Sequence, residues 1–149
     1  VPQDYQLAVD WFIKAVAAGD IHATLHVGRM YAHYLSRPTE AVSWLLRAAQ
    51  ALRADSFLEL ARLYDNKELE VYNSAEAHKW FRVAADYSEG KSVSALFALA
   101  RQHLDGQGAA CDLEKARFWL RRILAVAPPS YSSHREATKL LQKLDGQFL

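Results

Sequence analysis

The chain has 149 residues, of which 51% are hydrophobic and 23% are charged, a balance that is ordinary for a folded protein and excludes a disordered one. Its 18 basic and 17 acidic side chains give a net charge of +1, so no global field would attract nucleic acid or an anionic membrane. No apolar run approaches the roughly 18 residues of a membrane span. The one cysteine, Cys111, cannot form an internal disulfide, and both the cytoplasm and the bacterial periplasm or envelope stay open as compartments.

An Ala followed three residues later by a Trp recurs four times along the chain. The pairs are Ala8 and Trp11, Ala41 and Trp44, Ala77 and Trp80, and Ala116 and Trp119. The Ala-to-Ala steps, read from the numbering, are 33, 36 and 39 residues. Self-similarity of this period is the signature of a helical solenoid, whose stacked repeats present extended surfaces to partners. We therefore expect binding rather than catalysis.

Each repeat is predicted to hold two helices, A and then B. In chain order these are DYQLAVDWFIKAVAA and IHATLHVGRMYAHY, TEAVSWLLRAAQA and SFLELARLY, SAEAHKWFRVAADY and SVSALFALARQHL, and LEKARFWLRRILAV and SHREATKLLQKL. Asp4, Asn73 and Asp112 stand four residues before the repeat Ala, where their side chains can accept hydrogen bonds from first-turn amides. In the second repeat Arg37 takes this place, and Pro38 suits a first helical position because it has no N–H to leave unpaired.

Small and aromatic residues at three- and four-residue spacing form one stripe on each predicted helix. A small residue before an Arg in three B helices would let two helix backbones approach closely. We expect burial of the four Trp side chains, each contributing about 3–5 kcal/mol to stability. The predicted repeat core is Ala8, Trp11, Ala15, Gly28, Tyr31, Ala41, Trp44, Ala48, Ala61, Tyr64, Ala77, Trp80, Ala84, Ala100, Ala116 and Trp119.

Two segments, HLDGQGAACDLEKARFWLRRI and DYQLAVDWFIKAVAAGDIHATLHVGRMY, resemble the Sel-one-like repeat (SLR), a relative of the tetratricopeptide repeat. One copy of the family pattern is carried by His103, Gly106, Gly108, Ala109, Asp112, Ala116 and Trp119, and another by Asp4, Ala8, Trp11, Lys14, Ala15, Gly19, Ala23, Gly28 and Tyr31. The sequence departs from the pattern at Arg37 and Pro38, and in the loop DNKELEVYN, which lacks the paired glycines.

This resemblance covers essentially the whole chain. It implies an all-α fold, a right-handed α/α superhelical solenoid of about four helix-turn-helix repeats, as one domain over residues 1–149. The expected repeats are 4–36, 37–72, 73–111 and 112–145. Aligning Asp4 with Asp112 places Val1 inside a repeat loop, so we expect a fragment of a longer repeat protein.

The resemblance also implies a non-enzymatic scaffold or adaptor that binds a protein or peptide on its concave face. The family spans eukaryotic degradation adaptors and many bacterial envelope, secretion and virulence-associated proteins. Two alternatives stay open. One is a bacterial envelope or periplasmic accessory protein for exopolysaccharide assembly or export, and the other is an immunity protein that neutralises a bacterial toxin.

Basic residues that follow the repeat Trp on the A helices are the candidate partner contacts. If A helices stack, these side chains could form a ladder whose Arg forks hold an acidic partner, either a peptide tail or a charged polysaccharide. Alternatively, they solvate the helix exterior while their aliphatic stems cover apolar surface. The candidates are Lys14, Arg47, Arg82, Arg121 and Arg122 on the A helices, with a second ladder through Arg29, Arg62 and Arg101 on the B helices.

Other motifs are interpreted as structural. His22 and His26 are four residues apart on a helix, but no third and fourth ligand accompanies them, so no metal site is expected. Cys111 has no His or Lys partner nearby in the sequence, so no catalytic thiol is expected. The GQG at 106–108 is a repeat loop, since no strand or Lys-Ser/Thr pair follows it. We expect no catalytic residue, cofactor, nucleic-acid partner or membrane insertion, and the oligomeric state stays open.

Overall fold

The computed structural model describes residues 4–146, which form eight α helices and no strand. In chain order the helices are α1 (Tyr5–Ala17), α2 (Ala23–His33), α3 (Pro38–Gln50), α4 (Ala54–Asp65), α5 (Ser74–Tyr87), α6 (Val93–Asp105), α7 (Leu113–Val126) and α8 (Ser132–Gly146). Odd-numbered helices are the predicted A helices and even-numbered helices are the B helices. The predicted all-α fold of helix-turn-helix repeats is therefore confirmed. None of the described helices is both long and apolar enough to traverse a bilayer.

The chain divides into two compact units, which we call unit 1 (Val1–Asn73) and unit 2 (Ser74–Leu149). In unit 1, α2 packs against α1 on one side and α3 on the other, and α3 packs against α4. In unit 2, α6 packs against α5 and α7, and α7 packs against α8. The core of each unit therefore lies between helices that follow one another in the chain. The predicted single solenoid over residues 1–149 stays a prediction.

Local signals explain where several helices begin. The Asp4 carboxylate accepts a hydrogen bond from the Leu7 amide at 2.9 Å, and the Asp112 carboxylate accepts one from the Lys115 amide at 3.0 Å. The hydrogen bond from the Lys115 amide lowers the pKa of Asp112 below its usual value of 3.8. Pro38 is the first residue of α3, as predicted, and no side chain caps that helix.

Small residues lie where the helices meet. A Cβ on the buried Gly28 of α2 would lie 2.7 Å from Cγ and Cδ2 of Leu45 in α3, so no larger residue fits there without movement. Most of the predicted repeat core is buried, namely Gly28, Tyr31, Ala41, Ala48, Ala61, Ala77, Ala84, Ala100, Ala116 and Trp119. Another five predicted positions are half-buried, namely Ala8, Ala15, Trp44, Tyr64 and Trp80.

The prediction that all four repeat Trp residues lie in the core is wrong for Trp11, which is 63% exposed, whereas Trp119 is 7% exposed. The buried side chain is the one after the Trp, at Leu45, Phe81 and Leu120. Successive side chains on a helix point about 100° apart, so the Trp that precedes each buried residue lies at the edge of the buried stripe. The exposure of a Trp side chain at that edge depends on which side chains lie over its ring. Arg82 of α5 crosses the ring of Trp119, but Trp11 is overlaid by Lys14 of its own helix.

A polar cluster of two His side chains and one Gln side chain lies between α5 and α6. Gln102 is 1% exposed, and its Oε1 lies 2.9 Å from Nδ1 of His78. His103 is 5% exposed and meets His78 edge-on, with the ring centroids 5.5 Å apart. Burial lowers the pKa of His78 below its usual value of 6.5, and nearby positive charge acts in the same direction. The folded chain therefore holds His78 neutral over a pH range in which the unfolded chain would protonate it.

Replacement of Trp119 by Ala should lower the free energy of unfolding by about 3–5 kcal/mol, the range for a buried large aromatic side chain. Replacement of Trp11 should change it by about 0.5 kcal/mol or less, because this side chain lies mostly in water. Urea unfolding of the two variants measures the difference. Equal losses of unfolding free energy in the two variants would show that the exposure of the Trp side chain does not determine its contribution to stability.

Gly28→Ala should lower the free energy of unfolding by up to about 2 kcal/mol, since overpacking costs about 1–3 kcal/mol and the helix propensity of Ala returns about 1 kcal/mol. In a Leu45→Ala background the same substitution should be neutral or stabilising, because the Cγ and Cδ2 atoms that it would meet are gone. Urea unfolding of the single and double variants checks this. The same loss in both backgrounds would exclude Leu45 as the steric constraint.

The free energy of unfolding should fall as the pH drops through 6.5, the usual pKa that His78 has in the unfolded chain. Between the lowered folded pKa of His78 and the unfolded value of 6.5, the unfolded chain binds more protons, so stability rises with pH in that window. The urea concentration at the midpoint of unfolding, measured at about pH 7.5 and about pH 5.5, tests the upper part of this pH window. A His78→Gln variant should lose less stability on acidification. An equal loss in both proteins would assign the pH dependence to other groups.

Candidate functional site

Basic side chains stack on the Trp rings of the A helices in unit 1. The Nζ of Lys14 lies 4.9 Å from the ring centroid of Trp11, and the guanidinium carbon of Arg47 lies 4.5 Å from that of Trp44. Both pairs join residues three apart on one helix, a spacing that places two side chains on the same face. The aliphatic stems thus cover indole surface, which fits the second interpretation of the predicted basic ladder.

An open groove of about 480 Å³ lies between α5 and α7 of unit 2, and we call it the α5–α7 groove. Its main side chains are Arg82 and Asp86 of α5, Glu89 of the following turn, and Phe118, Trp119 and Arg122 of α7. It combines two guanidinium groups, two carboxylates and two aromatic rings.

Arg82 reaches from α5 onto α7. Its guanidinium carbon lies 5.2 Å from the ring centroid of Trp119, within the range of cation–π attraction. Its ion pair with Asp86, one turn further along α5, spans 4.0 Å from Nη2 to Oδ2, which is too long for a hydrogen bond. The aromatic ring therefore fixes this guanidinium more closely than the carboxylate does.

Arg122 lies on the opposite side of the groove. Its guanidinium carbon is 5.9 Å from the ring centroid of Phe118, and its Nη2 donates a hydrogen bond to the carbonyl oxygen of Glu89 at 3.4 Å. The next residue, Gly90, has a φ of 74°, and a Cβ at this position would overlap the guanidinium. Glycine at 90 therefore allows both the left-handed turn and the position of Arg122.

Two of the five predicted partner contacts, Arg82 and Arg122, thus come together in one groove. Arg121 is exposed on α7 and does not line that groove. Lys14 and Arg47 lie in unit 1, each on the Trp of its own helix. The predicted role of these five residues in partner binding stays a prediction.

The predicted B-helix ladder begins with a side chain that is already engaged in an ion pair. Arg29 of α2 donates a hydrogen bond from Nε to Oε1 of Glu59 in α4 at 3.2 Å, and its Nη2 lies 3.6 Å from Asp55. His33 approaches the same Glu59 carboxylate at 3.1 Å. Arg29 therefore joins α2 to α4, a structural role that sequence spacing alone did not indicate.

Phe118 is the aromatic residue of the groove that the sequence did not indicate, and the acidic Asp86 and Glu89 were also not predicted. Its side chain is 51% exposed, whereas Trp119 beside it is buried. Adjacent side chains on a helix point about 100° apart, so Phe118 and Trp119 face different directions. Trp119 and the buried Leu120 lie toward the core, which leaves Phe118 on the exposed side.

The other sequence motifs have structural surroundings. His26 stacks on Phe12, with ring centroids 5.1 Å apart, and His22 is exposed. Cys111 is exposed, with its Sγ 3.5 Å from the carbonyl oxygen of Leu104. Gly108 lies against the Ser74 backbone, where a Cβ would overlap the carbonyl oxygen. Across residues 4–146, no three His, Cys, Asp or Glu side chains are grouped so that they could hold a metal ion.

Comparisons with known proteins agree with this architecture. The model of the Sel1 repeat family matches residues 1–20, 22–51, 59–86 and 93–123. The crystal structure of a protective antigen from uropathogenic Escherichia coli strains, described as displaying an SLR fold, is 25% identical with a TM-score of 0.67. The match covers 84% of this chain and 27% of that one.

A Sel1 repeat protein from Oxalobacter formigenes is similar in fold. It is 21% identical with a TM-score of 0.64, over 86% of this chain and 52% of that one. This chain thus spans only part of the length of both proteins. No curated protein sequence matches it significantly.

Repeats of the matched kind generally mediate protein–protein interactions and generally form non-catalytic scaffolds. The four matched segments together cover well over half of the residues. With matches spread along its helix-turn-helix repeats, this chain belongs to the Sel1 repeat family.

Proposed function

We propose that this chain is a non-enzymatic scaffold module that holds a partner protein or peptide on the exposed surface of its A helices. The observation that carries this proposal is the α5–α7 groove, in which Arg82 and Arg122 flank the half-exposed Phe118 ring. Arg and aromatic side chains are enriched at protein interfaces and among the residues that contribute most to binding. The family supports the proposal, because its repeats generally mediate protein interactions.

The A helices of unit 2 also carry large apolar side chains that a partner could cover. Tyr87 at the end of α5, and Phe118 and Val126 of α7, are between 37% and 52% exposed. Removal of such apolar surface from water is the main favourable contribution to most protein association. Arg side chains beside it would supply orientation through charged, directional hydrogen bonds.

Photo-crosslinking tests the proposed binding face. Benzoylphenylalanine placed at Arg121 or Val126, both exposed on α7, should form covalent adducts with a partner protein in cells of the source organism. The same group at Ser94 of α6 or Lys139 of α8 should form several-fold fewer, because these exposed positions lie on B helices. Circular dichroism of each variant verifies that it is folded.

The pattern of adducts decides the outcome. A distinct protein, identified by mass spectrometry and linked through the α7 positions, would support the proposal. Equal adducts at A-helix and B-helix positions, or adducts only on the B helices, would contradict the binding face. Adducts at none of the four positions would contradict the proposed protein-binding function.

A further inference from the structure

We propose that the α5–α7 groove binds an acidic side chain of a partner peptide, with a neighbouring aliphatic or aromatic residue of the peptide lying on Phe118. This inference rests on the proposed function and specifies the chemistry of what the groove binds.

The guanidinium groups of the groove have hydrogen-bond donors to offer. Each guanidinium carries five N–H donors. Arg122 uses Nη2 for a long bond of 3.4 Å to a backbone carbonyl oxygen, and the contact of Arg82 with Asp86 spans 4.0 Å. Among residues 4–146, no carboxylate lies within hydrogen-bonding distance of either guanidinium. A carboxylate entering the groove would therefore find donors in the fork geometry that matches its two oxygens.

These donors are held in place before a ligand arrives. The Trp119 ring supports the guanidinium of Arg82 at 5.2 Å, and the Phe118 ring supports that of Arg122 at 5.9 Å. The Glu89 carbonyl and the missing side chain at Gly90 further define the position of Arg122. Because a fixed Arg loses less side-chain freedom on binding, each hydrogen bond it makes contributes more to affinity.

The carboxylates of the groove favour a single acidic side chain over a polyanion. Glu89 is 80% exposed and pairs with Lys91 at 3.1 Å, and Asp86 is 68% exposed, whereas Arg82 is 48% exposed. The two acids thus lie further into solvent than Arg82 does. At that position they would repel a run of phosphates, while one carboxylate can still reach the guanidinium groups.

Phe118 defines the second part of the ligand. Its ring is 51% exposed beside Arg122, and the buried Ala85 lies across the groove on α5. A carboxylate alone would leave that ring in water. An aliphatic or aromatic residue next to the acidic one would cover the ring and exclude water from the hydrogen bonds, which strengthens them.

Two synthetic peptide pools test this inference on the native chain. Both pools contain acetylated, amidated heptapeptides in which the residue after the centre is Leu, Ile, Phe or Tyr and the other positions are Ser or Gly. The centre is Glu in one pool and Gln in the other. Capture from an equimolar mixture by the immobilised chain, read by mass spectrometry, should enrich the Glu pool by about tenfold, as expected for charge-assisted hydrogen bonds.

Matched variants locate the effect. Arg82→Gln and Arg122→Gln should each bring the Glu-to-Gln ratio close to one. Arg135→Gln removes the same charge from an exposed position on α8, outside the groove, and should leave the ratio as in the native chain. Thermal unfolding of the three variants verifies the fold. The Glu-pool peptides should also shift the NMR signal of the Trp119 indole N–H.

Each result either supports or overturns the inference. Equal capture of the two pools, capture of neither, or the same reduction in the Arg135→Gln variant would overturn it. Crosslinks at the α7 positions combined with equal pool capture would leave the protein-binding function standing and reject only this acidic ligand. Crosslinks at none of the positions would reject the function itself, whatever the pools show.

Discussion

Within each unit, a helix buries its apolar stripe against the helices that follow or precede it in the chain, and small side chains set the distance. At Gly28 the separation leaves no room for a Cβ beside Leu45, and Ala41, Ala77 and Ala116 are fully buried on three A helices. Each contact thus joins near neighbours in sequence. Because the packing depends on helices one or two apart in the chain, the exposed surface is free to carry binding residues.

Helix positions could be predicted from the sequence because the signals for them are local. The predicted third A helix, SAEAHKWFRVAADY, coincides with α5 (Ser74–Tyr87), and Asp4 and Asp112 cap α1 and α7. A cap depends on one side chain and the next few amides, all specified by residues close together in the chain. The alternating A and B helices follow from the same short-range information.

Burial of the repeat Trp could not be predicted in the same way. The periodicity of the sequence identifies the apolar stripe of a helix but not the centre of that stripe. In the structure the centre lies one residue after the Trp, at Leu45, Phe81 and Leu120. The exposure of a side chain at the edge of a stripe depends on which neighbour lies over it. The Arg over Trp119 comes from another helix, while the Lys over Trp11 comes from the same helix as Trp11.

The basic residues after the repeat Trp show why their spacing predicted their contacts only in part. Lys14 and Arg47 come three residues after their Trp and share its face, so each lies over that ring. Arg82 comes two residues after Trp80, which turns it away from that indole, and it meets Trp119 of α7 instead. The sequence contains this difference of one residue, but its effect depends on the helix lying opposite.

Gly90 lies in the turn after α5 and helps to shape the groove. Its left-handed backbone and missing side chain make room for the guanidinium of Arg122, and its amide donates a hydrogen bond to the carbonyl oxygen of Ala85 in α5 at 2.7 Å. A side chain at this position would displace the guanidinium of Arg122 while the apolar stripes of α5 and α7 keep their partners. A turn can thus change the shape and charge of the groove while the helices that form it persist.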